Sequence, residues 1–241
     1  MPDSPDYSRE LPNSSRFPLK DMGELAVRLG SGMIYDRRGE LLFRENWDYG
    51  IYGWGQGLAG SGSTILLDAA ETLNNPYACK MICGTGLNSA TAISRRVSVI
   101  DSPRLGIELA VKLPNQFTKL TITATGYIKG KNLSLRMYLV PNGTTVDVFS
   151  DSGLTELITN LQYPQSYLFN FVNLKVVDDC ENNKHVRAII AGNEIDLTDF
   201  SRTQSFYTHD TYVDILINFD GYVGVASECS IGYINITGNE P

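Results

Sequence analysis

A chain of 241 residues, 42% of them hydrophobic, can bury one large core or two small ones. Its formal net charge of −7 argues against duplex DNA and anionic membranes, which require clustered lysine and arginine, and Asp36–Arg38 and Arg95–Arg96 are too short to make a basic face. No stretch approaches the roughly 18 apolar residues of a membrane span, and the opening run MPDSPDYSRELPNSSRFPLKD has no apolar region of a secretory signal. Synthesis and first folding are therefore expected in the cytoplasm.

Residues 1–30 are set apart by composition. Pro2, Pro5, Pro12 and Pro18 stiffen a Ser- and Asp-rich stretch that cannot bury itself. Tyr7, Leu11, Phe17 and Leu19 are its sizeable apolar anchors, spaced as on an extended arm that docks along another surface. One short helix is predicted over Leu19–Leu29, with Leu19, Met22, Leu25, Ala26 and Leu29 on one face and Gly30 as its stop.

Residues 31–241 read as a single mostly β domain. MIYDRRGELLF looks like a hairpin turning at Arg38–Gly39. A Gly/aromatic loop follows in ENWDYGIYGWGQGLAGSGS. Strands are then predicted at STILLDA, YACKMICG, ATAISRRVSVI, LGIELAVKL, LTITATGYIKG, LSLRMYLV, TVDVFS, FNFVNLKVVDD, HVRAIIAGNEIDL, YVDILINFD, VGVAS and IGYINIT. Turn signals separate them, among them Pro141–Gly143, Asp151–Gly153, Glu181–Asn183 and Asp220–Gly221. Leu133, Leu135, Met137 and Leu139 alternate with polar residues, as do Val213, Ile215, Ile217 and Phe219. Roughly a dozen short strands at this spacing specify a sandwich or barrel.

Catalytic chemistry is poorly represented. The run Gly60–Ser63 lacks a nucleophile elbow, and His185 and His209 have no convergent serine and acid, so both read as surface or hydrogen-bonded structural residues. Lectin-like sandwiches that hydrolyse glycans place two acids close together on one strand, and no such pair is present. Asp178–Asp179 falls at a hairpin tip, where Asp suits the turn, and Asp147 and Asp214 alternate with apolar residues toward solvent. No metal motif and no cofactor motif is found. Cys79 and Cys83, roughly 13 Å apart on an extended strand, share a face with Met81; Cys180 falls in a polar turn and Cys229 in a late strand. All four are expected to be reduced and mostly buried. The expectation is a non-enzyme.

The aromatic loop is the most suggestive feature. Trp47, Tyr49, Tyr52 and Trp54 are spaced by Gly50 and Gly53, and both tryptophans of the chain are here. Flat aromatic faces stack on sugar rings and anchor protein interfaces. One tryptophan is expected to pack in the body and the other to meet a ligand or partner.

FRENWDYGIYGWGQG, followed by ETLNNPYACKMICG, resembles carbohydrate-binding jelly rolls. Such modules often hold a structural calcium through a first acid, here matched by Glu45, and an aspartate of the last strand, where this chain has Gly232–Tyr233. The run FNFVNLKVVDDCENNKHVRAIIAGNEIDLT resembles a laminin-G or concanavalin-type sheet. Taken whole, ELAVRLGS, YDRRGELLF and the ending ITGNEP are similar to virion proteins of tailed phages and their prophage relatives over about residues 24–241. That last resemblance implies a bacteriophage structural protein, a capsid decoration or fibre component located in the virion. It would form a homo-oligomer through its arm and sandwich, with other virion proteins as partners and with neither nucleic acid nor membrane bound. The alternative is a lectin-like module that binds glycans through the aromatic loop.

Overall fold

The computed structural model describes residues 38–72, 76–114, 116–128, 131–140, 145–150, 153–158, 171–191, 193–199 and 211–241. Residues 38–241 form one compact unit. The predicted arm, its anchors Tyr7, Leu11, Phe17 and Leu19, the helix over 19–29, the first strand of the 33–43 hairpin and His209 all lie outside the described residues. No helix occurs among the described residues; all regular structure there is strand.

The strands are β1 Glu40–Glu45, β2 Gly55–Ala59, β3 Thr64–Asp68, β4 Ala78–Cys83, β5 Ala90–Ser98, β6 Arg104–Lys112, β7 Lys119–Ile128 and β8 Lys131–Val140. They continue with β9 Thr145–Ser150, β10 Gly153–Ile158, β11 Val172–Asp179, β12 Lys184–Ile190, β13 Asn193–Asp196, β14 Tyr212–Asp220 and β15 Ser227–Gly238. One sheet runs β13-β12-β11-β6-β15-β4-β3, with β1 also on β15; the other runs β10-β9-β8-β7-β14-β5-β2. Every pairing is antiparallel. The chain changes sheet at each of the connections β4–β5, β5–β6 and β6–β7, so short connections stitch the layers into one sandwich.

Strand β14 shows why the layers pack. Val213, Ile215, Ile217 and Phe219 are buried, while Asp214, Leu216 and Asn218 face outward in alternation. From the other sheet Leu105, Ile107, Leu109 and Val111 of β6 meet them in the same core. Strand β15 needs one irregularity. Its register shifts between Ile231 and Tyr233, across Gly232, so that Ile231, Ile234 and Ile236 all point into the core. Without that bulge Tyr233 would share the face of Ile231.

Several sequence expectations change. VGVAS is not a strand: Val223–Gly224 form a turn, and β15 begins at Ser227 as one continuous element through IGYINIT. The run 185–197 is a hairpin of β12 and β13 rather than one strand. Strand β2, GQGLA, reads as loop from sequence because it has two glycines and no β-branched residue; only its pairing to β5 makes it a strand. Strand β10 was likewise hidden beside a turn signal. Cys180 lies in the turn after β11 and is 4% exposed within the core, buried as expected.

Candidate functional site

The loop that joins β1 to β2 is built on one carboxylate. Glu45 ends β1 with its side chain 9% exposed. It accepts the Trp47 backbone N–H at 3.0 Å through one oxygen. Through the other it accepts the Trp54 indole N–H at 2.9 Å and the Arg95 guanidinium at 2.7 Å. Because Glu45 belongs to one sheet and Arg95, on β5, to the other, this ion pair ties the two layers. The Arg95 guanidinium also lies 5.2 Å from the Phe43 ring and 5.8 Å from that of Trp54.

The carbohydrate-module resemblance implied that Glu45 would help to hold calcium. The cation beside Glu45 is a guanidinium, and the carboxylate's contacts are taken by Arg95 and the two tryptophans. Among the described residues no group of three or more His, Cys, Asp or Glu is placed to hold a metal ion.

The four aromatics of the loop sort by type. Trp47 and Trp54 are 0% and 5% exposed, with ring centroids 5.4 Å apart at 46°. Both pack, which corrects the expectation that one of them meets a partner. Tyr49 and Tyr52 are 90% and 89% exposed. Two tight turns present them: Gly50 N–H donates to Trp47 O at 3.0 Å and Trp54 N–H to Ile51 O at 3.2 Å, with Gly50 and Gly53 at positive φ. Trp47 is itself at φ 65°, a left-handed conformation that costs a bulky residue on the order of 1–3 kcal/mol and survives only where packing over-determines it. Its indole N–H is buried and has no acceptor among the described residues.

A second polar region was not legible in the sequence. The outward face of the β12-β11-β6-β15 region carries Asn173, Lys175, Arg187, Glu108, Tyr233, Asn235 and Thr237, all between 0% and 5% exposed. In register, Lys175 lies opposite Glu108 and Glu108 opposite Asn235, while Ala110 separates Asn173 from Tyr233. The Tyr233 hydroxyl donates to Glu108 at 2.7 Å and lies 2.8 Å from the Asn173 amide. Glu240, just beyond β15, brings its carboxylate to Lys175 at 2.6 Å and to Arg187. Toward β3 and β4 the face turns into half-exposed pairs, Lys112 with Glu71 and Lys80 with Asp68 and Glu228. The Lys112 ammonium lowers the Glu71 pKa, and the Ala70 backbone N–H and Lys80 lower that of Asp68, so these groups stay ionised.

Asp178 and Asp179 are not a solvated hairpin tip. They close β11 and are 0% and 6% exposed. Asp178 lies 2.6 Å from His185 Nδ1, so His185 is a buried, hydrogen-bonded residue. Asp179 accepts the Asn182 backbone N–H at 2.7 Å and pairs with Arg104 at 3.3 Å. The thiols follow burial. Cys79 and Cys83 flank Met81 on one face, and Cys229 pairs directly across from Met81. Burial pushes the Cys79 thiol up to about 12, with the Glu45 charge adding, and raises Cys83 and Cys229 as well.

These features define a mostly β protein in which two antiparallel sheets form a sandwich of the jelly-roll type. No protein-family model and no curated protein sequence matches the chain. Solved structures do match its fold. The endo-β-1,4-glucuronan lyase of the fungus Trichoderma reesei aligns with a TM-score of 0.56 at 8% identity, over 83% of this chain and 96% of that one. The cellulose-induced protein Cip1 aligns with a TM-score of 0.53 at 10% identity, over 82% and 97%. The CBM2 module of a Lactobacillus casei phage evolved Dit aligns at 0.44 and 10% identity, over 83% and 95%. What the lyase and Cip1 share with this chain, at these identities, is the fold.

Proposed function

We propose that the protein is a carbohydrate-binding, lectin-like β-sandwich whose aromatic loop contacts the glycan through Tyr49 and Tyr52. The observation that carries this reading is the pair of almost fully exposed tyrosines on a loop fixed from beneath by Glu45, Arg95 and two buried tryptophans. Exposed aromatic rings cost solvation without contributing to the core, and a rigid base keeps their ordering cost on binding low. Trp47 and Trp54 then serve as positioning residues. The fold, shared with a glucuronan lyase, is compatible with this role and leaves catalysis to be decided by the site.

The test is a glycan array probed with the wild type and with the Tyr49→Ala/Tyr52→Ala double variant. Binding of at least one glycan class by the wild type, weakened tenfold or more in the variant, is expected. An array on which both proteins bind the same glycans equally overturns the loop as the site.

A virion role, as decoration or fibre component of a tailed phage, is the second reading. It is supported by the resemblance over about residues 24–241 and by the arm-like composition of residues 1–30. Glycan binding is compatible with it. Deleting residues 1–20 and measuring solution mass tests the homo-oligomer that this reading requires. An unchanged mass counts against it.

A further inference from the structure

The turn that carries Tyr52 rests on a guanidinium with unused donors. Trp54 N–H closes this turn on Ile51 O at 3.2 Å, so Tyr52 and Gly53 are its two central residues. A Cβ at Gly50 would stand 3.0 Å from Tyr52 Cδ2, so the tyrosine ring leans on bare backbone while the residue stays 89% exposed. A Cβ at Gly53 would stand 3.9 Å from Arg95 Cζ and meet no other atom within 4 Å. The guanidinium thus lies against the residue next to Tyr52, and Gly53 puts no side chain over it.

Among the described residues Arg95 uses one donor: Nη1 bonds to Glu45 Oε2 at 2.7 Å. The Phe43 and Trp54 rings, 5.2 and 5.8 Å from its Cζ, hold the group in position. Its Nε–H and Nη2–H, two parallel donors on one edge of the fork, have no partner there, and the side chain is 31% exposed. Arg96, the next residue, shows the contrast: the same edge is occupied by Asp214, at 2.8 and 2.7 Å. Charge decides what the open edge of Arg95 suits. Glu45 already neutralises the guanidinium, Asp48 is exposed in the same loop, and Arg44 alternates to the other face of β1 from Glu45. An anion would meet a neutralised cation and an exposed carboxylate, whereas a pair of hydroxyl oxygens needs only two N–H donors.

We propose that Arg95 sets the ligand class of the aromatic loop: its Nε/Nη2 edge donates to two adjacent hydroxyl oxygens of an uncharged sugar whose ring stacks on Tyr52. The inference rests on the carbohydrate-binding reading of this loop and narrows it from glycans to neutral glycans. Glu45 then has two tasks, bracing the loop and cancelling the charge that would otherwise favour acidic sugars.

The experiment uses the full chain. Binding of the hexasaccharides of glucose, mannose and galactose is compared with that of the hexasaccharides of glucuronate, mannuronate and galacturonate. The wild type is expected to bind at least one neutral sugar more tightly than its acidic counterpart. Two variants test the edge. Arg95→Lys keeps a cation beside Glu45 but lacks the fork, and Gly53→Asn, a residue type tolerated at positive φ, covers the guanidinium and leaves its ion pair intact. Each is expected to unfold near the wild-type midpoint and to bind the neutral sugar about tenfold more weakly or worse. Undiminished binding by either folded variant, or a wild type that binds the acidic counterpart as tightly, overturns the proposal. Should Arg95→Lys not fold, Gly53→Asn decides alone. Loss of binding in Tyr49→Ala/Tyr52→Ala with full binding in Arg95→Lys and Gly53→Asn removes the Arg95 assignment and leaves the loop site standing. A wild type that binds no glycan overturns both.

Discussion

The aromatic loop and the outward face of the first sheet solve opposite problems with the same kind of bond. In the loop, one buried carboxylate organises apolar rings: Glu45 holds Trp47, Trp54 and Arg95, and the tyrosines are pushed out into solvent. On the sheet face, the polar groups themselves are buried, and Glu240 is drawn in to neutralise Lys175 and Arg187. A buried charge persists only when paired and hydrogen-bonded, and both regions obey that rule. What differs is the origin of the anion. Glu45 is the last residue of a strand and fixed in register, whereas Glu240 lies beyond the end of one. The first arrangement is set by the register of a strand; the second is set by the turn that follows β15.

The comparison breaks most visibly at the tryptophans. Trp47→Ala or Trp54→Ala each removes a buried ring and should destabilise the sandwich by about 3–5 kcal/mol in urea unfolding. A loss under about 1 kcal/mol in both would show that the loop is not braced from within. Next in size is Glu45→Gln, which keeps the shape but leaves the Arg95 guanidinium without its anion. Since Arg95 is partly exposed, a loss of about 2–3 kcal/mol is expected. A double-mutant cycle with Arg95→Met should show coupling between the two, and strict additivity would refute the inter-sheet tie.

The buried thiols give a pH-dependent effect of intermediate size. The Cys79 thiol lies near 12 when folded against about 9 when unfolded. A raised folded pKa means that the unfolded chain gives up its proton first as pH rises. Stability should be unaffected below about pH 8 and fall between about pH 9 and 12, by at most about 1.4 kcal/mol per pH unit for this thiol. Cys79→Ser should flatten that alkaline slope in urea titrations, and an unchanged slope would contradict the assignment. Smallest of all is the effect of Tyr49→Ala/Tyr52→Ala on stability. Fully exposed side chains should shift the unfolding free energy by no more than about 0.5 kcal/mol, so any larger loss would mean that the tyrosines belong to the brace.

The sequence by itself determined the fold class. Alternating apolar positions such as Val213, Ile215, Ile217 and Phe219 can bury one face only as strands, and the turn residues between such runs require antiparallel neighbours. It also located the aromatic loop, because aromatics and glycines so closely spaced have few other uses. It did not determine which ring faces which way. That was decided by Glu45 and Arg95, 50 positions apart, meeting across the two sheets and giving the Trp54 indole N–H a buried acceptor. Nor could it reveal the polar face. Glu108, Lys175, Arg187, Tyr233 and Glu240 come from distant segments and look individually like solvated strand residues. They become one cluster only because β12, β11, β6 and β15 lie side by side, and because the bulge at Gly232 turns Tyr233, Asn235 and Thr237 onto the same side. Local spacing writes the pleat of each strand, but which strands are neighbours is a long-range choice made by the packing of the whole core.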